Sequence, residues 1–435
     1  MTPTVAIIGM PNVGKSSLFN RMVGRREAIV DDIGGVTRDR IYGEVEWNGK
    51  TFTLIDTGGF VPHKAQPMEQ AVRQQAEIAM DEATLILFMV DVTAGITADV
   101  KELATLLRPQ AQKVFLVVNK VDNHQRMLQG AEFYALGFQA VFFISAANGQ
   151  GTGDLLDAIT ERLPAVGPPT PATDLPIVAI VGQPNVGKSS LLNVLLGEHR
   201  AVVTDIAGTT RDVLRCHYKK FNKEFILLDT AGLRKKSKVY DQLEFYSVIR
   251  AIKAIDEADV CVLLVDARHP MQKQDLHILG LIERKRKGAI IAVNKWDLIP
   301  HETNTMKYLE EEIRQRIAPF SDIPIVFISA LQKQRIYKLT ELILSVYKNR
   351  RRYVDDKQLT ETLLKATAEH PHPAVGGRPL RFFKAEQYRT NPPAFRLFTN
   401  RPDEVAPNYR GWLEKRIREN FDFQGVPIKI TFAKK

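Results

Sequence analysis

Short apolar runs rich in β-branched residues alternate with longer amphipathic segments along most of the chain. The runs fall in two matching sets, at 5–8, 85–90, 114–118 and 141–144, and at 178–181, 260–265, 289–293 and 325–328. Runs of this length, separated by segments with a helical period, predict buried parallel strands joined by helices. The expected fold class is therefore α/β, with two mostly parallel sheets that carry helices on both faces.

Residues 350–435 have a different pattern of hydrophobic and polar positions. The pattern predicts a helix over 359–369, strands over 380–387 and 395–399, an amphipathic helix over 408–421 and a last strand over 426–432. Strands that alternate polar and apolar positions beside single helices indicate a small α+β unit in the order αββαβ.

The chain contains an internal repeat. The segment from Gly9 to Ser16 recurs as Gly182 to Ser189, an offset of 173, and Asn119 to Asp122 recurs at an offset of 175. A proline-rich stretch lies between the copies and is typical of an extended linker. We therefore predict a first domain over 1–163, a linker over 164–175, a second domain over 176–349 and a C-terminal domain over 350–435.

Each copy places a glycine-rich loop between a strand and a helix. A loop of the form GxxxxGK[ST] presents backbone N–H groups at a helix N-terminus, where phosphate binds. We expect Lys15 and Lys188 to reach the β- and γ-phosphates and to act in catalysis with Thr37 and Thr210. The expected phosphate-loop residues are Gly9, Asn12, Gly14, Lys15, Ser16 and Ser17, and Gly182, Asn185, Gly187, Lys188, Ser189 and Ser190.

Polar residues after the next strands predict a magnesium site in each copy. A hard cation prefers oxygen ligands such as hydroxyls and carboxylates. The expected Mg²⁺ ligands are Ser16, Thr37 and Asp56 in the first copy, and Ser189, Thr210 and Asp229 in the second. Gly59 and Gly232 follow the two aspartates and are expected to give a backbone N–H to the γ-phosphate, which orders the loop only in the triphosphate state.

A third motif identifies the base. A carboxylate can accept from both N1–H and the 2-amino group of guanine, whereas adenine has no such donor pair and would leave the carboxylate unpaired. The expected guanine-binding residues are Asn119, Lys120, Asp122, Ser145 and Ala146, and Asn294, Lys295, Asp297, Ser329 and Ala330. GTP is then the substrate and GDP the product.

Charge is divided unevenly along the chain. Residues 1–163 carry a net charge of −4, whereas residues 176–349 carry +7 and residues 350–435 carry +8. The basic excess favours a polyanionic partner for the later domains, although a solvated basic surface is the alternative. The chain shows neither a membrane-spanning apolar stretch nor a signal segment, so we expect a cytoplasmic protein that does not associate with membranes.

Five elements occur in the same order in both copies: the glycine-rich loop, the threonine, the aspartate with its following glycine, the Asn-Lys-x-Asp segment and the Ser-Ala pair. Together they resemble the translation-factor-related GTPases, and the tandem pair followed by a basic tail resembles the EngA family, also called Der. The resemblance covers essentially the whole chain. It implies two P-loop GTPase domains, a KH-like C-terminal domain and a switch that acts in maturation of the large ribosomal subunit, with ribosomal RNA as partner. We expect such a protein to work as a monomer.

Some positions depart from the common GTPase pattern. Phe60 and Leu233 stand where many GTPases have a water-orienting glutamine, so another element must position the water. In related GTPases a phosphate-loop asparagine helps to bind K⁺, and Asn12 and Asn185 hold that position; a loop-stabilising side chain is the alternative. The tail lacks the Gly-x-x-Gly of RNA-clamping KH domains, which leaves direct RNA binding and a packing role both open.

Three hypotheses follow for the function. The first is an enzyme used as a switch, in which slow GTP hydrolysis controls attachment to ribosomal RNA. The second is a nucleotide-dependent scaffold in which one copy binds nucleotide but scarcely hydrolyses it. The third, an RNA-modifying assembly gated by nucleotide, is disfavoured because the sequence shows no second catalytic constellation.

Overall fold

The computed structural model describes residues 2–24, 42–57, 68–164, 175–197, 214–229, 244–300, 304–318, 320, 322–374 and 378–434. These residues form two compact units. The first unit comprises 1–172 together with 239–253, and the second comprises 173–238 together with 254–435. Each unit is described separately below.

The first unit contains a six-stranded sheet with the strand order β2-β3-β1-β4-β5-β6. Its strands are β1 (Thr4–Ile8), β2 (Tyr42–Trp47), β3 (Lys50–Asp56), β4 (Leu85–Asp91), β5 (Val114–Asn119) and β6 (Val141–Phe143). All neighbours are parallel except β2, which pairs antiparallel with β3 at one edge. Residues 85–90 of β4 are at most 1% exposed, so both faces of the sheet centre are covered. The predicted α/β class is confirmed.

The second unit repeats this sheet with the order β12-β11-β10-β7-β9-β8. Its strands are β7 (Ile177–Val181), β8 (Leu214–Lys220), β9 (Lys223–Asp229), β10 (Val260–Asp266), β11 (Gly288–Asn294) and β12 (Ile325–Phe327). Again only β8 runs antiparallel, paired with β9. The two copies therefore share both strand order and direction, as the repeat predicts.

The helices connect the strands and cover the sheets. They are α1 (Lys15–Val23), α2 (Met68–Glu82), α3 (Ala98–Leu107), α4 (His124–Gly130), α5 (Thr152–Arg162), α6 (Lys188–Leu196), α7 (Glu244–Glu257), α8 (Lys273–Arg284), α9 (Thr305–Arg316), α10 (Ile336–Arg350), α11 (Asp356–Glu369) and α12 (Pro407–Asn420). Within the described part of the chain, no helix is both long and apolar enough to cross a membrane.

A third, smaller sheet lies in the second unit, with the order β13-β14-β15. Its strands are β13 (Phe382–Thr390), β14 (Pro393–Thr399) and β15 (Lys429–Lys434). With α11 and α12 they give the predicted order αββαβ. The last strand begins three residues later than the expected start at Val426, because Val426 packs elsewhere: it is 2% exposed and belongs to the core of the second six-stranded sheet.

The segment that precedes β15 joins the small sheet to the second six-stranded sheet. Gly425 has a positive φ of 74°, and its carbonyl oxygen accepts a 2.7 Å hydrogen bond from the N–H of Ala289 in β11. A Cβ at Gly425 would lie 2.8 Å from Val346 and 2.9 Å from the Ala289 oxygen, so the close approach requires glycine. Asn349 also donates to Asp422 at 3.1 Å. The tail is thus packed into the second GTPase-like sheet.

Candidate functional site

In the first copy, the loop after β1 is shaped by two glycines. A Cβ at Gly9 would lie 2.2 Å from the carbonyl oxygen of Met89, and a Cβ at Gly14 would lie 2.3 Å from Nδ2 of Asn119. Gly14 also has a φ of 99°, which side chains other than glycine rarely adopt. The backbone can therefore turn directly into α1, which leaves the first N–H groups of the helix without helical partners.

Lys15 and Ser16 are the first two residues of α1, and their side chains have different partners. Lys15 Nζ donates to the carbonyl oxygens of Gly9 and Met10, both at 2.8 Å. Burial lowers the pKa of Lys15, and the nearby Asp56 carboxylate offsets part of that shift. Ser16 Oγ donates to Asp56 Oδ2 at 2.7 Å, so the structure brings two of the three expected magnesium ligands together.

The second copy repeats this geometry closely. Gly187 has a φ of 100°, and Asn185 has a φ of 62° against 63° for Asn12. Lys188 Nζ donates to the oxygens of Gly182 at 2.9 Å and Gln183 at 2.6 Å. The exposed residues Ser16, Ser17, Ser189 and Ser190 stand at the starts of the two helices. The two loops are therefore built alike although the chain around them differs.

In each copy, the asparagine of the expected guanine-binding motif forms hydrogen bonds with both the phosphate loop and the Ser-Ala pair. Asn119, at the end of β5, donates from Nδ2 to the Val13 oxygen at 2.8 Å and accepts at Oδ1 from the Ala146 N–H at 2.9 Å. Asn294 makes the same pair of bonds, to the Val186 oxygen at 2.8 Å and from Ala330 at 2.9 Å. Ser145 and Ser329 beside them are buried. These asparagines hold the phosphate loop and the Ser-Ala loop in fixed positions relative to each other.

The next residue, a lysine, lies in the left-handed region in both copies. Lys120 has a φ of 67° and Lys295 a φ of 63°. Their Nζ atoms lie 2.6 Å from Asp91 and 2.7 Å from Asp266 respectively. For Asp91, burial acts to raise the pKa, but hydrogen bonds from Lys120 and Thr93 outweigh it and hold the pKa below its usual value.

The sequence reasoning missed Asp91 and Asp266. Both end a buried strand, as the two motif asparagines do, and they recur at the 175-residue offset that relates those asparagines. Hydrogen bonds from Arg268 and then Lys295 lower the pKa of Asp266 despite burial. A search for every polar residue at a strand end that repeats at this offset would have found the pair.

The two expected guanine-reading carboxylates differ. In the first copy, Asp122 Oδ2 lies 2.6 Å from Arg126 Nη1, one helical turn along α4. In the second copy, Asp297 Oδ1 is buried and has no hydrogen-bond partner among the described residues. A buried acceptor without a partner is costly, which makes this atom a natural place for a ligand donor.

A second difference lies behind the second phosphate loop. Asp275, 1% exposed on α8, accepts from the Gln272 N–H at 3.0 Å and faces the side chain of Gln183. Burial raises the pKa of Asp275 to about 6 against the opposing effects of Gln183, Gln272 and Lys188. The corresponding positions of the first copy hold Val100 and Met10, so its loop has no such carboxylate.

Several expected residues are not placed. Thr37, Gly59, Thr210 and Gly232 lie outside the described residues, as do Phe60 and Leu233. Asp229 ends β9, and its side chain lies outside the description. Of the expected magnesium ligands, only Ser16 and Asp56 are therefore seen in contact.

Comparisons with known proteins address the class of protein. A family model described as a 50S ribosome-binding GTPase matches residues 4–120 and again residues 177–295. A second, described as KH-domain-like of EngA bacterial GTPase enzymes, C-terminal, matches residues 354–433. Together with the two repeated nucleotide-loop geometries, these matches define a GTPase that binds GTP in two P-loop domains and carries a KH-like domain behind them.

Relatives along the whole chain identify the family. GTPase Der of Christiangramia forsetii is 49% identical, over 99% of this chain and 99% of its own. GTPase Der of Flavobacterium johnsoniae is 48% identical over the same shares. Among solved structures, Era in complex with MgGDPNP and nucleotides 1506-1542 of 16S ribosomal RNA is 26% identical, with a TM-score of 0.32 over 61% of this chain and 94% of its own. The chain belongs to the GTPase Der family.

Proposed function

We propose that the chain is a GTP-controlled switch that acts in the cytoplasm, as a monomer, in maturation of the large ribosomal subunit, and that ribosomal RNA is its direct partner. The observation that carries the proposal is the charge distribution: +7 over residues 176–349 and +8 over residues 350–435, against −4 over residues 1–163. Closely spaced RNA phosphates attract such a surface and release counterions on binding. The description of the matching family model, a 50S ribosome-binding GTPase, supports the choice of subunit.

In this proposal the phosphate loops hold the nucleotide through their N–H groups and through Lys15 and Lys188. Each ammonium group donates to two backbone carbonyl oxygens of its own loop. A phosphate that enters the loop can replace these oxygens as the acceptor with a short movement of the lysine side chain. The carboxylates of Asp122 and Asp297 select guanine, and Ser145-Ala146 and Ser329-Ala330 close over its O6 with backbone N–H groups.

A magnesium ion fits the residues present in the first copy. The Ser16 hydroxyl and the buried Asp56 carboxylate, 2.7 Å apart, are hard oxygen donors of the kind that Mg²⁺ prefers. Ser16, Thr37 and Asp56 would hold the ion in the first domain, and Ser189, Thr210 and Asp229 in the second. When bound, Mg²⁺ neutralises charge on the β- and γ-phosphates. The chain's own residues orient the nucleotide and exclude other bases.

Potassium is the second cation of the proposal. Asn12 and Asn185 are exposed and adopt the same left-handed backbone conformation, with φ of 63° and 62°, beside the site where the phosphates bind. An amide oxygen there can contribute to a K⁺ site that stabilises charge in place of the missing glutamine. The alternative role, in which each asparagine only supports its loop, makes a different prediction about salts, given in the Discussion.

The scaffold hypothesis has its own support, because the two domains are not equivalent. Asp122 forms an ion pair with Arg126, whereas Asp297 Oδ1 has no hydrogen-bond partner among the described residues. The buried carboxylate of Asp275 lies behind the second phosphate loop, and the first copy has valine at the corresponding position. One domain could then bind nucleotide with scarcely any hydrolysis. Separate kcat values, measured with Asp122→Asn or Asp297→Asn to silence one domain at a time, distinguish a pair of enzymes from an enzyme beside a nucleotide-bound scaffold.

Cosedimentation with purified ribosomal subunits tests the proposal. We expect the GTP-loaded chain to pellet with large subunits more than with small ones, and less in GDP. Lys235→Ala with Lys236→Ala should reduce pelleting in GTP more than in GDP, because the basic segment from Arg234 to Lys238 follows Gly232, expected to contact the γ-phosphate; this segment lies outside the described residues. Equal pelleting with both subunits in both nucleotides would show that the charge is only a solvated surface.

The contribution of the tail is better tested by charge changes than by deletion. Deleting residues 350–435 would remove Val426 from the core of the second GTPase domain and the Gly425 contact with β11. Arg381→Gln with Lys415→Gln changes two exposed cations and leaves the packing in place. We expect this variant to pellet less with large subunits and to show a weaker dependence on salt.

A further inference from the structure

The two copies differ at the turn between the antiparallel edge strand and its neighbour. In the first copy, Asn48 and Gly49 join β2 to β3 with φ of 48° and 74°. In the second copy, Phe221 and Asn222 join β8 to β9 with φ of 53° and 56°. Both turns need two residues with positive φ, for which Asn-Gly is the favoured pair. Phenylalanine in this conformation is an outlier and a source of strain.

Burial does not compensate for that strain. Phe221 is 73% exposed and its ring contacts Tyr337, the second residue of α10, at a centroid distance of 5.8 Å with the rings 80° apart. Tyr337 is itself 52% exposed. Burial in the fold does not explain a strained turn that presents two adjacent aromatic rings to solvent, which points to a contact outside the chain.

Exposed basic residues flank the two aromatic residues along the chain. Lys219 is 74% exposed, Lys220 precedes Phe221 and is also exposed, and Lys338 follows Tyr337 on the outside of α10. Lys223 Nζ lies 3.3 Å from the centroid of the Tyr337 ring, which fixes that ring from behind. We name Lys219, Lys220, Phe221, Tyr337 and Lys338 together the Phe221 platform.

The first copy closes the corresponding place with polar contacts. Trp47 Nε1 and Asn48 Nδ2 both donate to Asp157 Oδ1 on α5, at 2.6 and 2.8 Å. The turn between β2 and β3 therefore contacts the Asp157 carboxylate, where the turn of the second copy presents two exposed aromatic rings beside lysines. The acidic residues near the platform are Glu224 and Glu341, which lie 3.6 Å from Lys219 and Lys223 respectively. The acidic contact in the first copy and the lysines in the second agree in sign with the net charges of the two domains, −4 and +7.

We propose that the Phe221 platform binds single-stranded RNA, with an unpaired base stacked on Phe221 and the adjoining phosphates held by Lys219, Lys220 and Lys338. Exposed aromatic rings flanked by cations are the chemistry that single-stranded nucleic acid needs, because every base has a face to stack and every linkage a negative charge. The inference rests on the proposed function in taking RNA as the partner, and adds the surface and the strand state that it recognises.

An exchange of turns between the copies gives a sharp test. Phe221→Asn with Asn222→Gly gives the second hairpin the Asn-Gly turn of the first, which relieves backbone strain, so the variant should fold with an unchanged or higher unfolding midpoint. Binding of a labelled short oligoadenylate RNA to the full chain, followed by fluorescence anisotropy, should weaken about tenfold, as expected for loss of one stacked base. An abasic oligomer of the same length should bind the variant and the parent equally.

Two controls separate the platform from general charge. Tyr308→Ala removes another exposed aromatic residue, 67% exposed on α9, and should leave oligoadenylate binding unchanged. Lys219→Ala should weaken binding of both the oligoadenylate and the abasic oligomer, and should lower the salt dependence. Equal oligoadenylate affinity of the turn-exchange variant and the parent overturns the platform, including the case in which the surface serves an acidic protein instead.

The outcome for the platform can be told apart from the outcome for the proposed function. If the turn-exchange variant keeps the full nucleotide-dependent pelleting with large subunits and the full oligoadenylate affinity, the platform is wrong and the proposed function stands. If the parent binds oligoadenylate through the platform but pellets equally with both subunits, the platform stands and the ribosomal assignment fails.

Discussion

Arg126 Nη1 lies 2.6 Å from Asp122 Oδ2, so the carboxylate expected to read guanine in the first domain is already engaged by a cation of the same helix end. Asp297 in the second domain keeps one buried oxygen without a partner among the described residues. In the proposed mode of binding, guanine would displace Arg126 from Asp122 but would meet no such competition at Asp297.

Arg126→Ala should tighten GDP binding to the first domain. The ion pair is largely exposed, so its loss changes the binding free energy by about 0–1 kcal/mol, or up to roughly fivefold in affinity. Fluorescent GDP titration in an Asp297→Asn background measures the first site alone. Arg73→Ala, which removes an ion pair with Glu77 on α2, is the matched control and should change nothing. Unchanged or weaker binding in Arg126→Ala would mean that this pair does not compete with the base.

Asp122→Asn and Asp297→Asn should each shift one domain from guanine to xanthine nucleotides. The amide that replaces the carboxylate can donate to xanthine O2 but can no longer accept from both guanine donors. Competition between GDP and xanthosine diphosphate, one domain at a time, measures the shift. Retention of guanine selectivity after both substitutions would remove the base assignment.

Asp275 should make the stability of the second unit depend on pH. Its folded pKa is raised from 3.8 to about 6, so the fold favours the protonated carboxyl. The free energy of unfolding is therefore highest below the unfolded pKa and falls as the pH rises through the window from 3.8 to about 6. Asp275→Asn stays neutral and should be more stable than the parent at pH 8 by about 1–3 kcal/mol, with little difference at pH 4.

Chemical denaturation across this pH range measures the Asp275 effect. Asp99→Asn, in the first turn of α3 of the first copy, serves as the control and should leave the pH profile unchanged. A parallel pH profile for Asp275→Asn and the parent would contradict the raised pKa, and would leave the capping bond to Gln272 as the only role of this side chain.

GTP hydrolysis should be faster in KCl than in NaCl at equal ionic strength. Asn12 and Asn185 are the residues that we propose contribute an oxygen to K⁺, and an apolar residue stands where a glutamine commonly orients water. Asn12→Ala with Asn185→Ala should remove the difference between the two salts. Equal rates of the parent in both salts would leave the asparagines with a loop-stabilising role only.

Much of the fold and of each phosphate loop could be predicted from the sequence, because their signals are local. The eight apolar runs match β1, β4, β5, β6, β7, β10, β11 and β12 to within one residue at each end, whereas β2, β3, β8 and β9 are not among them. The spacing of Gly9, Lys15 and Ser16 likewise indicates the loop. Contacts between side chains that are far apart in the sequence have no such local signal. The four-residue spacing of Asp122 and Arg126 is compatible with an ion pair, but nothing local shows that Asp275, on α8, lies behind Lys188.

The start of the last predicted strand shows the same limit. Val426 continues an apolar pattern that reads as β15, but the core of another sheet competes for it, and the chain turns at Gly425 before the strand begins. Hydrophobic periodicity reports that a residue is buried and not what it is buried against. The sequence pattern therefore predicts the tail as a domain of its own, and only the structure shows that Gly425 and Val426 pack it against the second six-stranded sheet.

That packing also has a consequence for synthesis. Val426 lies far beyond β12 in the chain, yet it belongs to the core formed by β7 to β12, and the Gly425 carbonyl accepts from β11. Chains emerge from the ribosome N-terminus first, and domains fold as units as they emerge. The first GTPase domain can therefore complete its core early in translation, whereas the second cannot complete its core until the segment around Val426 has emerged. Products truncated before Val426 should retain one working nucleotide site and not two.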